Sequence, residues 1–117
     1  MKKIAILRCL ESNDVCTGAS CLDAFQSRSK YFSNYDENVK LVAFFSCNGC
    51  EQRVSLKNQL GMKEKLERLQ LMGTEVVHVG SCVWIKNKDG EQVICTQIID
   101  LIKRIKGMGM DVVYGTH

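Results

Sequence analysis

Four short apolar runs, KIAILRC (Lys3 to Cys9), VKLVAFFS (Val39 to Ser46), EVVHVG (Glu75 to Gly80) and DVVY (Asp111 to Tyr114), alternate with stretches that have the spacing of amphipathic helices. Strands that are apolar throughout must be covered on both faces, and strands separated by helices run parallel through right-handed crossovers. The first helical stretch is Ala19 to about Ser29, opened by Thr17 and Gly18, with Leu22 and Phe25 on one face. The second is Leu56 to Met72, with Leu60, Leu66, Leu69 and Met72 inward and Gly73 as its stop. In the last, Ile94, Ile98, Leu101, Ile102 and Ile105 form one stripe, ended by Gly107 and Gly109. The order βαβαβαβ predicts a small three-layer α/β sandwich with a four-stranded parallel sheet in the order 2-1-3-4. A chain of 117 residues has room for one core and shows no linker, so residues 1–117 read as one domain.

This topology decides where the seven cysteines fall. All strand C-termini of a parallel sheet lie on one edge, where the following helices begin and where ligands of open α/β sheets bind. Cys9 ends the first strand, Cys47 and Cys50 follow the second, Cys82 lies past the third and His117 past the fourth. Cys16 stands at the entrance of the first helix, Cys21 in its first turns, and Cys95 near the start of the last. Residues from 9 to 117 therefore converge on one rim. Fillers of an apolar core would instead sit in mid-strand or mid-helix. Only Cys21 fits that description, between core packing and the rim.

The opening MKKIAILRCLES has four apolar residues before Arg8, against about 7–15 for a signal peptide and about 20 for a membrane span. The expectation is a cytoplasmic protein with no membrane association. Reducing conditions there disfavour structural disulfides, and seven thiols cannot all pair within one chain. The net charge of +3 is mixed along the sequence. Its densest cluster, Lys103, Arg104 and Lys106, suits a helix C-terminus. No basic stripe with interleaved aromatics is present, so nucleic acid is not an expected partner.

Three chemistries use such a rim. Thiolates with an imidazole nearby suit zinc or an iron–sulfur cluster. The pair Cys47-Asn48-Gly49-Cys50 lets two sulfurs reach one metal from a single turn, which Gly49 permits. Cys9, Cys82, Cys95 and Cys16 are the further candidate ligands, with His117 as an imidazole donor or a solvated tail. The second chemistry is a thiol–disulfide oxidoreductase or redox sensor using Cys47 and Cys50. A thioredoxin-like form of it is excluded, because a chain with no proline cannot supply the cis-proline that faces that dithiol. The third, a phosphatase-type loop, needs Cys, five residues and then Arg. Here Cys9 is followed by LESND and Val15, and Arg8 precedes the thiol as a strand-end charge reaching solvent. Glycine-rich nucleotide loops are also missing. His78, between Val77 and Val79, reads as a hydrogen-bonded core imidazole or as the partner of a metal ligand. No acid–base pair stands out, and Glu51 reads as a solvated carboxylate.

KIAILRC (Lys3 to Cys9), CTGASCLDAF (Cys16 to Phe25), CNGC (Cys47 to Cys50), VVHVGSC (Val76 to Cys82), Cys95 and the closing GTH (Gly115 to His117) occur in an order and spacing that resembles the CGGC-domain family. These are bacterial and archaeal proteins named for a central Cys-Gly-Gly-Cys. The resemblance runs almost end to end and implies binding of zinc or another metal through cysteines and histidines, with no established reaction. Two departures stand out. Asn48 replaces the first glycine of the name motif, and Glu51 and Thr96 stand where prolines are common.

Overall fold

The computed structural model describes residues 2–50 and 54–117. Its elements are β1 (Lys3–Arg8), α1 (Ala19–Gln26), β2 (Lys40–Ser46), α2 (Leu56–Leu71), β3 (Val76–Val79), β4 (Trp84–Lys86), β5 (Gln92–Ile94), α3 (Thr96–Gly107) and β6 (Asp111–Tyr114). The four predicted strands form one sheet in the order β2-β1-β3-β6, and every neighbouring pair in it is parallel. This is the expected 2-1-3-4 arrangement.

Side-chain alternation divides the core. Ile4, Ile6 and Val76 point to one face, where they meet Cys21 and Ala24 of α1 and the buried Phe32. Ala5, Leu7, Val77 and Val79 point to the other, against Met62, Leu66 and Leu69 of α2 and Ile98, Leu101, Ile102 and Ile105 of α3. The chain moves one way from β1 to β2 and the other way from β2 to β3 and β6. Right-handed crossovers then require α1 on one face and α2 and α3 on the other. The reversal leaves a switch point between the C-terminal ends of β1 and β3.

Several boundaries and faces differ from the sequence expectation. Leu60 and Met72 are exposed, and Met62 is buried in their place. The inward face of α2 is thus Met62, Leu66 and Leu69, a strict i, i+4, i+7 stripe that the extra leucines obscured. On α1, Leu22 is exposed, Cys21 and Ala24 are buried, and Phe25 is partly buried. That helix ends at Gln26 rather than near Ser29.

Ile94 belongs to β5, and α3 begins at Thr96. The hairpin β4–β5 was not anticipated. It pairs Trp84 with Ile94 and Lys86 with Gln92. Its turn is held by the Asn87 side chain, which accepts the N–H groups of Asp89 and Glu91 at 2.9 and 3.0 Å. The Asp89-Gly90 dipeptide between two β-prone triplets is the ordinary signal for such a turn.

Candidate metal centre

The strand register brings the first sulfurs together. Arg8 pairs with Ser46, so Cys9 and Cys47 stand abreast in the next position. Leu7 pairs with Val79, and Gly80 donates its N–H to the Leu7 carbonyl at 2.9 Å. The 3₁₀ turn at Ser81–Val83 then curls back toward β1. There the Cys82 sulfur accepts the Cys9 N–H at 3.1 Å. The following amide, Leu10 N–H, donates to the Cys47 sulfur at 3.4 Å. Consecutive amides of the loop after β1 thus hold sulfurs from the loops after β2 and β3, at the switch point.

Cys50 and Cys95 extend this group. Burial pushes the Cys50 thiol up, with further upward contributions from the Glu11 carboxylate and the Cys95 and Cys47 sulfurs. The Cys9 thiol is pushed up first by burial, partly offset by backbone N–H donors, and then by Cys47 and Cys82. Cys47 therefore neighbours both Cys9 and Cys50. Cys95 stands immediately before α3 without a side-chain hydrogen bond to its first turn, and its N–H donates to the Val83 carbonyl at 3.1 Å. That bond ties the base of the hairpin to the turn carrying Cys82.

The remaining candidates are placed differently. Cys16 is exposed, and its sulfur accepts the Gly18 N–H at 3.3 Å. Cys21 is buried on the α1 face, 3.1 Å from the Thr116 hydroxyl, which is the core placement; burial pushes its thiol up, opposed by the Thr116 hydrogen bond, and the Cys82 and Cys16 sulfurs add a smaller upward push from the rim. His117 is exposed. Arg8 does not simply reach solvent: it is part-buried, hydrogen-bonded to the Asn13 side chain, with its guanidinium 5.6 Å from the centre of the Phe44 ring. Glu51 lies outside the described residues.

Around Cys47 the loop is fixed from α2. Lys65 donates to the Ser46 carbonyl at 2.9 Å and to Asn48 Oδ1 at 2.7 Å. Burial pushes Lys65 down, opposed by the nearby Cys47 sulfur. Beside this loop a cleft of about 480 Å³ opens between α2 and α3, its lining including Cys47, Gly49, Val54, Leu60 and Arg104. The exposed Leu60 faces that cleft. Lys65, Glu11 and Thr116 were not singled out in the sequence. Glu11 had a signal, since it lies in the loop just past the first strand; nothing in the spacing of the α2 lysines marks Lys65 out.

His78 is fully buried on the α1 face. Its Nε2 lies 2.6 Å from the Tyr35 hydroxyl and its Nδ1 lies 2.9 Å from the Gly115 carbonyl. A carbonyl only accepts, so Nδ1 carries the proton, and Nε2 accepts from Tyr35. Burial holds the imidazole below its usual range, against the Gly115 hydrogen bond. The unfolded chain therefore binds this proton at a pH where the folded one does not. Stability is full above the unfolded value of about 6.5 and falls as pH drops below it toward the lowered folded value. In urea titrations the wild type should lose more stability than His78→Gln between about pH 7.5 and pH 5.5. Equal losses would contradict this.

The closing Gly-Thr-His is docked rather than frayed over its first two residues. Thr116 is buried, and Gly115 has φ +147°, with the ring of Tyr31 only 2.5 Å from where a Cβ would stand. Gly115→Ala should cost about 1–3 kcal/mol through backbone strain, even if Tyr31 swings aside. A loss below about 0.5 kcal/mol in chemical denaturation would show that the segment yields freely.

Among the described residues no group of three or more His, Cys, Asp or Glu side chains is arranged to hold an ion. The sulfurs of Cys47 and Cys82 are turned instead onto backbone amides. The donor set nonetheless fits a soft cation. Cys9, Cys47, Cys50, Cys82 and Cys95 come from four loops of one rim, and thiolate sulfur is the donor type that a soft cation prefers.

The fold and rim define a parallel α/β domain that gathers cysteine sulfurs at its topological switch. The chain belongs to the CGGC domain family, whose model matches residues 3–117. It is 28% identical over 123 residues to Uncharacterized protein MJ0582 of Methanocaldococcus jannaschii, covering 98% of this chain and 86% of that protein. No solved structure gives a significant match. Among the described residues no helix is long and apolar enough to cross a membrane.

Proposed function

We propose that this protein binds zinc through thiolates at the strand-end rim, with Cys9, Cys47, Cys50 and Cys82 as ligands and Cys95 beside them. One observation carries the reading: two consecutive amides, of Cys9 and Leu10, hold the sulfurs of Cys82 and Cys47 at 3.1 and 3.4 Å. Three chain segments distant in sequence are thereby already gathered, so ordering them costs little on binding. Zinc accepts four sulfur donors tetrahedrally and asks for no redox chemistry. Rotation of the Cys47 and Cys82 side chains away from the amides is the rearrangement required. Membership of the CGGC family supports a metal-binding role.

Protein purified without oxygen should carry zinc near one equivalent by elemental analysis. Cys50→Ser should lower that figure, and its folding stability with it, because metal binding is linked to folding. Wild-type protein that takes up no zinc, or Cys50→Ser that retains both metal and stability, would count against this ligand set.

A further inference from the structure

Lys65 is a half-buried lysine on a helix whose inward neighbours are Met62, Leu66 and Leu69. Such a side chain ordinarily lays its stem on the core edge and carries its ammonium to water. Here the ammonium turns to the loop after β2. It donates to the Ser46 carbonyl at 2.9 Å and to Asn48 Oδ1 at 2.7 Å. Those are the residues immediately before and after Cys47.

The second anchor is as specific. The Asn48 amide nitrogen donates to the Asn58 carbonyl in the first turn of α2 at 2.9 Å. Gly61, one turn on, leaves room for that amide: a Cβ there would come within 3.2 Å of Asn48 Nδ2. Asn48 is not in the left-handed region, which the loop assigns to Gly49 at φ +105°. Asparagine can therefore stand where the family name has glycine, and its side chain becomes a clamp.

From this geometry, and resting on the zinc reading above, we infer that Lys65 is the positioning residue and counter-charge of the metal centre, acting through Ser46 and Asn48 on either side of Cys47. Fixing both flanks fixes the direction in which the Cys47 sulfur leaves the backbone. Four thiolates around a divalent ion also leave a net charge of about −2, which a partly desolvated ammonium offsets.

The test compares wild type, Lys65→Met and Lys65→Arg, with cobalt(II) as the spectroscopic probe of the thiolate site. Lys65→Met should bind cobalt roughly 10–100-fold more weakly and show a weaker thiolate-to-cobalt charge-transfer band, with Lys65→Arg recovering part of both. An unchanged affinity and spectrum in Lys65→Met would overturn the inference.

A second readout needs no metal. In metal-free protein at fixed pH, hydrogen–deuterium exchange followed peptide by peptide should be roughly fivefold faster for the peptide carrying Cys47 in Lys65→Met, while the peptide carrying Cys21 keeps its wild-type rate. An unchanged ratio of the two rates would overturn the inference even where wild type takes up no cobalt, an outcome that would instead sink the zinc reading. Should Lys65→Met not fold, Asn48→Gly removes the ammonium's side-chain acceptor. The same shift in the Cys47 to Cys21 ratio is then expected, and its absence is decisive against the proposal.

Discussion

If the protein holds zinc as proposed, a chelator is expected to lower the unfolding midpoint of the wild type, and the same treatment should leave Cys47→Ser where it began. A ligand that binds only the folded state adds about 2.7 kcal/mol when free metal is 100 times Kd and about 4.1 kcal/mol at 1,000 times Kd. An unfolded chain keeps only the local Cys47 and Cys50 pair of a site assembled from the loops after three different strands, so weaker binding to that pair subtracts part of this linkage and leaves the rest. Cys47 is the sensitive position because it is buried and neighbours both Cys9 and Cys50. Cys21→Ser is the control: that thiol faces the α1 side and lies against Thr116, so its chelator response should match wild type. An equal response in Cys47→Ser and wild type would remove Cys47 from the ligand set.

The strand order and the gathering of sulfurs were legible because both follow from hydrophobic period and from the polarity of a parallel sheet. Four apolar runs with helices between them admit few topologies, and the cysteines that follow the first three of them go where those strands end. What was not legible depended on side-chain direction. Leu60 and Met62 are two residues apart on one helix, and only packing decides that Met62 is buried while Leu60 stays exposed at the cleft that both line. Cys21 reads in sequence as core or as rim, and side-chain direction decides for the core: a hydroxyl in the α1 layer lies against it, whereas Cys82 is held by an amide at the switch point. Lys65 shows the same gap most clearly. Its role depends on where an ammonium reaches across space, and the spacing of residues along the chain carries no record of that.

Phe32→Ala is expected to cost about 3–5 kcal/mol, the range for truncating a large, fully buried aromatic whose site cannot collapse. Phe32 has no exposed surface and sits beneath three rings, with centroids 5.6 Å from Phe25, 6.3 Å from Tyr35 and 4.4 Å from His78. Its ring therefore supports the imidazole that bonds Tyr35 on one side and Gly115 on the other. Loss of that support should show in two ways: a lower urea midpoint, and faster proteolytic clipping of the closing Gly-Thr-His. The sulfurs of Cys47 and Cys82, by contrast, pack on the opposite face of the sheet, with α2 and α3. At a temperature where the variant is still folded, the zinc uptake proposed above should consequently stay near that of wild type. A variant that loses metal while folded would mean that the two layers are coupled through β1 and β3. A cost below about 1 kcal/mol would mean that Phe25 and Tyr35 close over the vacated volume.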